Sequence, residues 1–215
     1  MIENARDRGQ AFPIYIMMVA GLLFLAFAFF AVGKASAVRN GAQGAADAAA
    51  LAAAQAVRNA MGSKFLAALL VPNGLEQFFK EETVDQAACA EAQYLAGANR
   101  ADLVPNGSGD LCDWSDGNFR DDVTVQVMTR YTVGSSVIPG SESRHATAKA
   151  SAAVEFRCSW EVVHSSVGVM DEKDGRDGLI EFSCDGLDVF TVDPLRPDSW
   201  EKLSKELFVV HLIDD

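Results

Sequence analysis

The chain has 215 residues, 49% of them hydrophobic, and carries 18 Lys/Arg against 30 Asp/Glu for a net charge of -12. That apolar content excludes disorder over most of the length, although alanine inflates it and the core is lighter than the figure implies. Residues 1–59 hold five basic groups against three acidic ones and residues 60–215 thirteen against twenty-seven; a surface that acidic repels phosphate backbones, which argues against nucleic acid as a partner.

Residues 12–33, FPIYIMMVAGLLFLAFAFFAVG, contain no charge. As a helix they rise ~33 Å, enough to cross a hydrocarbon core of ~30 Å. Pro13 falls in the first turn, where its missing N–H costs nothing, and Tyr15 sits near the boundary, where a ring with a polar tip is favoured. The competing reading is a cleaved signal peptide, since Ala35-Ser36-Ala37 fits the small-x-small rule. Its apolar region would be far longer than usual, and Lys34 would fall inside the cleavage window. Basic residues flank the span on both sides (Arg6 and Arg8, Lys34 and Arg39), so the positive-inside rule is nearly silent. The cysteines decide instead. Cys89, Cys112, Cys158 and Cys184 all follow the span, which suggests an oxidising compartment on that side and a cytoplasmic N-terminus. The expected organisation is a cytoplasmic tail at 1–11, a transmembrane helix at 12–33, an alanine-rich helical stalk at 34–60 and an extracytoplasmic domain at 61–215.

In the stalk, ten of the fifteen residues from 42 to 56 are alanine and no proline interrupts them. Alanine is the best helix former, so the helix is predicted to continue out of the membrane to about residue 60. Ala45, Ala48, Ala49, Ala52 and Ala56 follow three-and-four spacing and form a stripe of methyl groups that a partner helix can approach closely.

Basic RDRGQA at 6–11, the apolar span, and AADAAALAAAQ at 45–55 together resemble the N-terminal region of TadE/TadG-like proteins. These are bacterial membrane proteins of the tight-adherence, or Flp pilus, assembly system. The run DAAALAAA at 47–54 is its most specific element. The resemblance implies a single-pass assembly component whose partners are other membrane and pilus-assembly proteins, in a homo- or hetero-oligomer formed through the N-terminal helix. Cutting after Gly9 would put Ile14 where prepilin-type members carry a glutamate. The Asp-x-Ser-x-Ser motif of longer members is absent.

The outer domain is expected to be α+β, with helices packed on an antiparallel sheet. Residues 63–71 and 75–100 read as helices parted by Pro72-Asn73-Gly74, the second with Phe78, Phe79, Val84, Ala88, Tyr94 and Leu95 along a ragged apolar side. Residues 102–118 read as a loop. The period then becomes two: Val123, Val125, Val127, Tyr131 and Val133 share one face, as do Ala148, Ala150, Ala152, Val154, Phe156 and Cys158, and then Ile180, Phe182 and Cys184. The small inward alanines of the second strand would let a helix lie close to the sheet. Asp185-Gly186 is a tight-turn signal leading into residues 187–192. Asp198 and Glu201 are spaced as a capping box for a last helix running through Leu203, Leu207, Val210 and Ile213.

Three disulfide pairings are possible. Cys89–Cys112 with Cys158–Cys184 is preferred, because Cys158 and Cys184 lie on the inward faces of their strands. No C-x-x-C spacing points to zinc. His145, His164 and His211 are isolated. The stretch 171–178 puts Lys173, Gly175 and Cys184 at calcium-ligand positions when aligned on its glycine, and so fails as an EF-hand. Asp110, Asp113 and Asp116 read as an exposed acidic loop, and Trp114, Trp160 and Trp200 as packing. No catalytic site, cofactor or metal is expected. The function indicated is an assembly component of a cell-envelope pilus or secretion system, with the acidic domain exported. The alternative is a membrane-tethered binding module unrelated to pili.

Overall fold

The computed structural model describes residues 11–80, 87–117, 119–134, 140, 142–164 and 178–213. Five helices and eight strands are assigned among them. The helices are α1 (Ala11–Ala60), α2 (Gly62–Ala68), α3 (Gly74–Phe78), α4 (Ala87–Ala98) and α5 (Trp200–Leu207). The strands are β1 (Ala101–Leu103), β2 (Cys112–Asp116), β3 (Arg120–Thr132), β4 (His145–Phe156), β5 (Cys158–His164), β6 (Gly178–Cys184), β7 (Phe190–Val192) and β8 (Phe208–Ile213). The architecture is α+β, a long N-terminal helix followed by antiparallel sheets and short helices.

Helix α1 runs unbroken for 50 residues, a rod of ~75 Å. Its first part is bare. Phe12, Leu22, Phe24 and Phe30 are all more than half exposed, as are most large side chains up to Val32. This segment makes α1 the one described helix long and apolar enough, by length and composition, to cross a membrane. From Ala42 onward the environment inverts. Ala42, Ala45, Ala46, Ala49, Ala50, Ala53, Ala54 and Val57 are at most 1% exposed.

The main sheet covers them. β3 lies at its centre, paired to β4 on one side and to β1 and β2 on the other, and β4 carries β8 on its far edge. Every pairing is antiparallel. The register sets valine against alanine: Val123 faces Ala152, Val125 faces Ala150 and Val127 faces Ala148. Side chains alternate across a strand, so these pairs form one shallow face. The alanine face of α1 lies on it. On its other side α1 packs on α4 through Ala88, Ala92 and Ala96. Methyl groups on every surface allow that close approach, and each buried methylene-sized group is worth roughly 0.8 kcal/mol. Gly41 marks the tightest point: a Cβ there would collide with the hydroxyl of Tyr131.

A second core follows residue 57 and is made of rings. Phe65 is fully buried, with Phe78, Trp200 and Phe208 at centroid distances of 5.4, 5.3 and 5.7 Å. Phe79, Phe119, Phe156 and Trp160 form an adjoining group. The small sheet β5–β6–β7 closes this end. β4 passes into β5 across Arg157 alone, so one stretch of chain serves both sheets.

Several expectations need correction. The last helix stops at Leu207, and Phe208–Ile213 is an edge strand paired to β4. The capping box does not form: the N-cap is Ser199, without a side-chain bond to the backbone, and Asp198 instead accepts from Lys202 Nζ at 2.8 Å. The second helix breaks into α3 and α4, with Tyr94 71% exposed and Val84 outside the described residues. The supposed loop at 102–118 contributes strands β1 and β2 to the main sheet. The stalk alanines of α1 share a core with residues of β3 and β4.

Candidate interaction surfaces

Two disulfides stitch the part of the chain that follows α1. Cys89–Cys112 ties α4 to β2 across 23 residues, and Cys158–Cys184 joins directly opposed positions of β5 and β6 across 26. The first clamps the helix that packs on α1 and the second holds the small sheet where the chain enters it.

The five stripe alanines divide between two environments. Ala45 and Ala49 are buried against the chain's own sheet. Ala48, Ala52 and Ala56 are half-buried and line an open groove of about 530 Å³ between α1 and α4, with Leu51, Glu91 and Leu95. A second cleft, of about 420 Å³, lies between the α2–α3 turn and the small sheet, where Leu70, Val71, Val162 and Leu195 are half-exposed or more. At that turn Asn73 takes a left-handed φ of 55°, and a side chain at Gly74 would strike the Ala68 carbonyl.

Charge at the surface is arranged in exposed or half-exposed pairs. Asp102 accepts from Arg130 at 2.6 Å; the guanidinium holds that carboxyl below its ordinary range while the carboxylate raises the arginine. Lys205 likewise lowers Glu201, Asp198 raises Lys202, and Asp122 raises Arg120. Pairs this exposed contribute little to stability. Arg58 differs. Its Nε is buried without a hydrogen-bond partner among the described residues, and burial pulls its pKa down.

The remaining residues weighed from the sequence are scattered. His145 is exposed, its Nδ1 on the Thr129 carbonyl; His211 lies on edge strand β8; the His164 side chain is outside the described residues. Asp110 and Asp113 are exposed, and the side chain of Asp116 is not described. No group of three or more His, Cys, Asp or Glu among the described residues is placed to hold a metal ion. Trp160 and Trp200 belong to the ring core, and Trp114 packs where the two cores meet. The stretch 171–177 and the tail 1–10 lie outside the described residues.

Two contacts had no signal in the sequence. Trp200 Nε1 donates to the Arg58 carbonyl at 3.1 Å, and its ring lies 2.5 Å from where a Cβ on Gly62 would sit. Gly41 meets Tyr131 in the same manner. Both join residues far apart in the chain, which a local pattern does not report.

No curated protein and no solved structure matches the chain. Its N-terminal region does match a family, and over a stretch that coincides with most of α1, taking in the bare apolar part and the alanine face seated on the sheet. Residues 9–56 fit the model described as putative Flp pilus-assembly TadE/G-like, so this N-terminal stretch is similar to that family.

Proposed function

We propose that the protein is an assembly component of a Tad-type pilus or secretion apparatus, anchored by the first part of α1 with residues 1–11 in the cytoplasm and the acidic domain outside. The observation that carries this reading is the division of one helix. The TadE/G-like segment spans both a stretch of bare apolar surface and the alanine face on which the outer domain is built. A helix used that way holds a folded domain at a fixed place beside the membrane, which suits a structural part. Two disulfides in the domain fit an oxidising compartment.

Other membrane helices would contact the bare part of α1 and the outward alanines Ala48, Ala52 and Ala56. Ala45 and Ala49 are already covered by the protein's own sheet. A phosphatase reporter fused after residue 215 should be active if the domain is exported; a reporter active only when cytoplasmic would sink the orientation. Deleting the gene should abolish pilus or secretion output, with restoration by the intact chain. Normal output in the deletion would favour the second reading, a tethered binding module, for which the apolar cleft beside Trp160 and Leu195 is the place to look.

A further inference from the structure

The structure fixes which end of the outer domain lies nearest the apolar part of α1. Lys34, the first charged residue after that part, has its Nζ 3.8 Å from where a Cβ on Gly134 would sit, at the end of β3. Tyr131 reaches Gly41. One step further out, Gln43 Nε2 donates to the Lys149 carbonyl on β4 at 3.3 Å. The spacings agree: Lys34 to Gln43 is nine helical residues, and His145 to Lys149 four strand residues, with His145 level with Thr132. Both intervals come to ~13 Å. The β3–β4 hairpin end therefore stands level with the exit of the apolar segment.

That end has the opposite sign from the rest of the domain. Among the described residues it carries Lys34, Arg39, Arg100, Arg130, Arg144 and Lys149 against Asp102, Glu142 and, at its outer margin, Asp47. Elsewhere residues 60–215 hold nine basic groups against twenty-five acidic ones. All three local acids are engaged: Asp102 by Arg130, Glu142 by the backbone N–H of Gly140, and Asp47 by Gln43 Nε2. Arg39, Arg100, Arg144 and Lys149 are exposed, and the Arg100 guanidinium lies 5.2 Å from the centre of the Tyr131 ring.

We propose that this end is a collar that binds the anionic headgroups of membrane phospholipids. The inference rests on the reading that the apolar part of α1 spans the bilayer. A basic residue held near an anionic surface gains roughly fivefold in partitioning, and the gain fades beyond a Debye length, so salt weakens it. The acidic remainder of the domain is repelled by the same surface. Attraction at one end and repulsion over the rest set the domain upright on its helix. This also accounts for Lys34 and Arg39 following the span: they belong to the collar.

The test uses the full chain in nanodiscs of phosphatidylcholine, with and without phosphatidylglycerol, and reads amide hydrogen exchange at 128–133 and 144–149. Phosphatidylglycerol should slow exchange there several-fold. High salt should remove the effect, and so should Arg144→Glu with Lys149→Glu, two exposed positions whose change leaves the cores intact. A neutral pair, Arg144→Gln with Lys149→Gln, should fall between. Exchange that ignores lipid charge in a chain correctly inserted in the disc overturns the collar alone. Slowing reproduced by inorganic phosphate in phosphatidylcholine discs overturns the lipid as its ligand. A chain that does not insert overturns the spanning reading and the collar with it.

Discussion

Around residues 42–57 of α1 the domain is packed with methyl groups, whereas around Phe65 it is packed with rings. Each half has its own way of filling space. Alanine on α1, on α4 and on β4 brings backbones together and leaves no room to grow, so the fit depends on nothing being larger. The ring half gains from area: Phe65 alone is in ring contact with Phe78, Phe182, Trp200 and Phe208. One half should therefore be intolerant of addition and the other of deletion.

The largest expected effect lies in the ring half. Phe65→Ala should cost about 3–5 kcal/mol in chemical denaturation, as a buried aromatic is lost and a cavity left. A cost under about 1 kcal/mol would mean that the rings repack freely and the contrast is false. Replacing the Cys158–Cys184 pair with serine should cost about 3 kcal/mol, given a closed loop of 26 residues. Cys89–Cys112 closes 23 residues and should cost nearly the same, although it braces the methyl half. Unfolding midpoints with and without reductant would show whether both halves melt together.

Addition is the test of the methyl half. Ala49→Leu should cost about 1–3 kcal/mol by overpacking against the sheet. Ala52→Leu, one turn on but facing the open α1–α4 groove, should stay within about 0.5 kcal/mol. Loss of assembly in Ala49→Leu then reports a damaged fold, and loss in Ala52→Leu, with stability unchanged, reports a partner. Equal destabilisation by both would end the distinction.

The smallest effect is electrostatic. Asp102 and Glu201 have lowered folded pKa values, so what they contribute is present above the ordinary carboxylate range near about pH 4 and is lost as pH falls through the lowered values. Both are exposed, so a pH titration of stability for Asp102→Asn should track wild type closely, departing only at the acid end and less so in salt.

Much of this contrast was legible in the sequence. The alanine run and the period-two valines and alanines identified the two faces, and the inward alanines of β4 announced a closely laid helix. They did not say which helix. The stripe looked available to a partner because its cover, β3 and β4, lies some 70 to 110 residues further on. β8 was misread because Leu203, Leu207, Val210 and Ile213 keep helical spacing while Phe208, Val210 and Leu212 keep strand spacing. A short apolar run satisfies both, and pairing with β4 decides. β2 was missed because CDWSD has a loop's composition, and strand formation there comes from the valine-rich neighbour rather than from its own propensity. The Trp200–Gly62 and Tyr131–Gly41 contacts left no trace, since a glycine that makes room looks like one that merely bends.

The continuity of α1 has a mechanical consequence. No loop or proline separates the apolar stretch from the helix on which the sheet is assembled. A pull or a twist on the domain therefore travels along the backbone hydrogen bonds of one stiff shaft, with no swivel to absorb it. Neighbours gripping the apolar stretch would feel torque applied to the domain, and the azimuth of the domain would be set by how they hold the shaft.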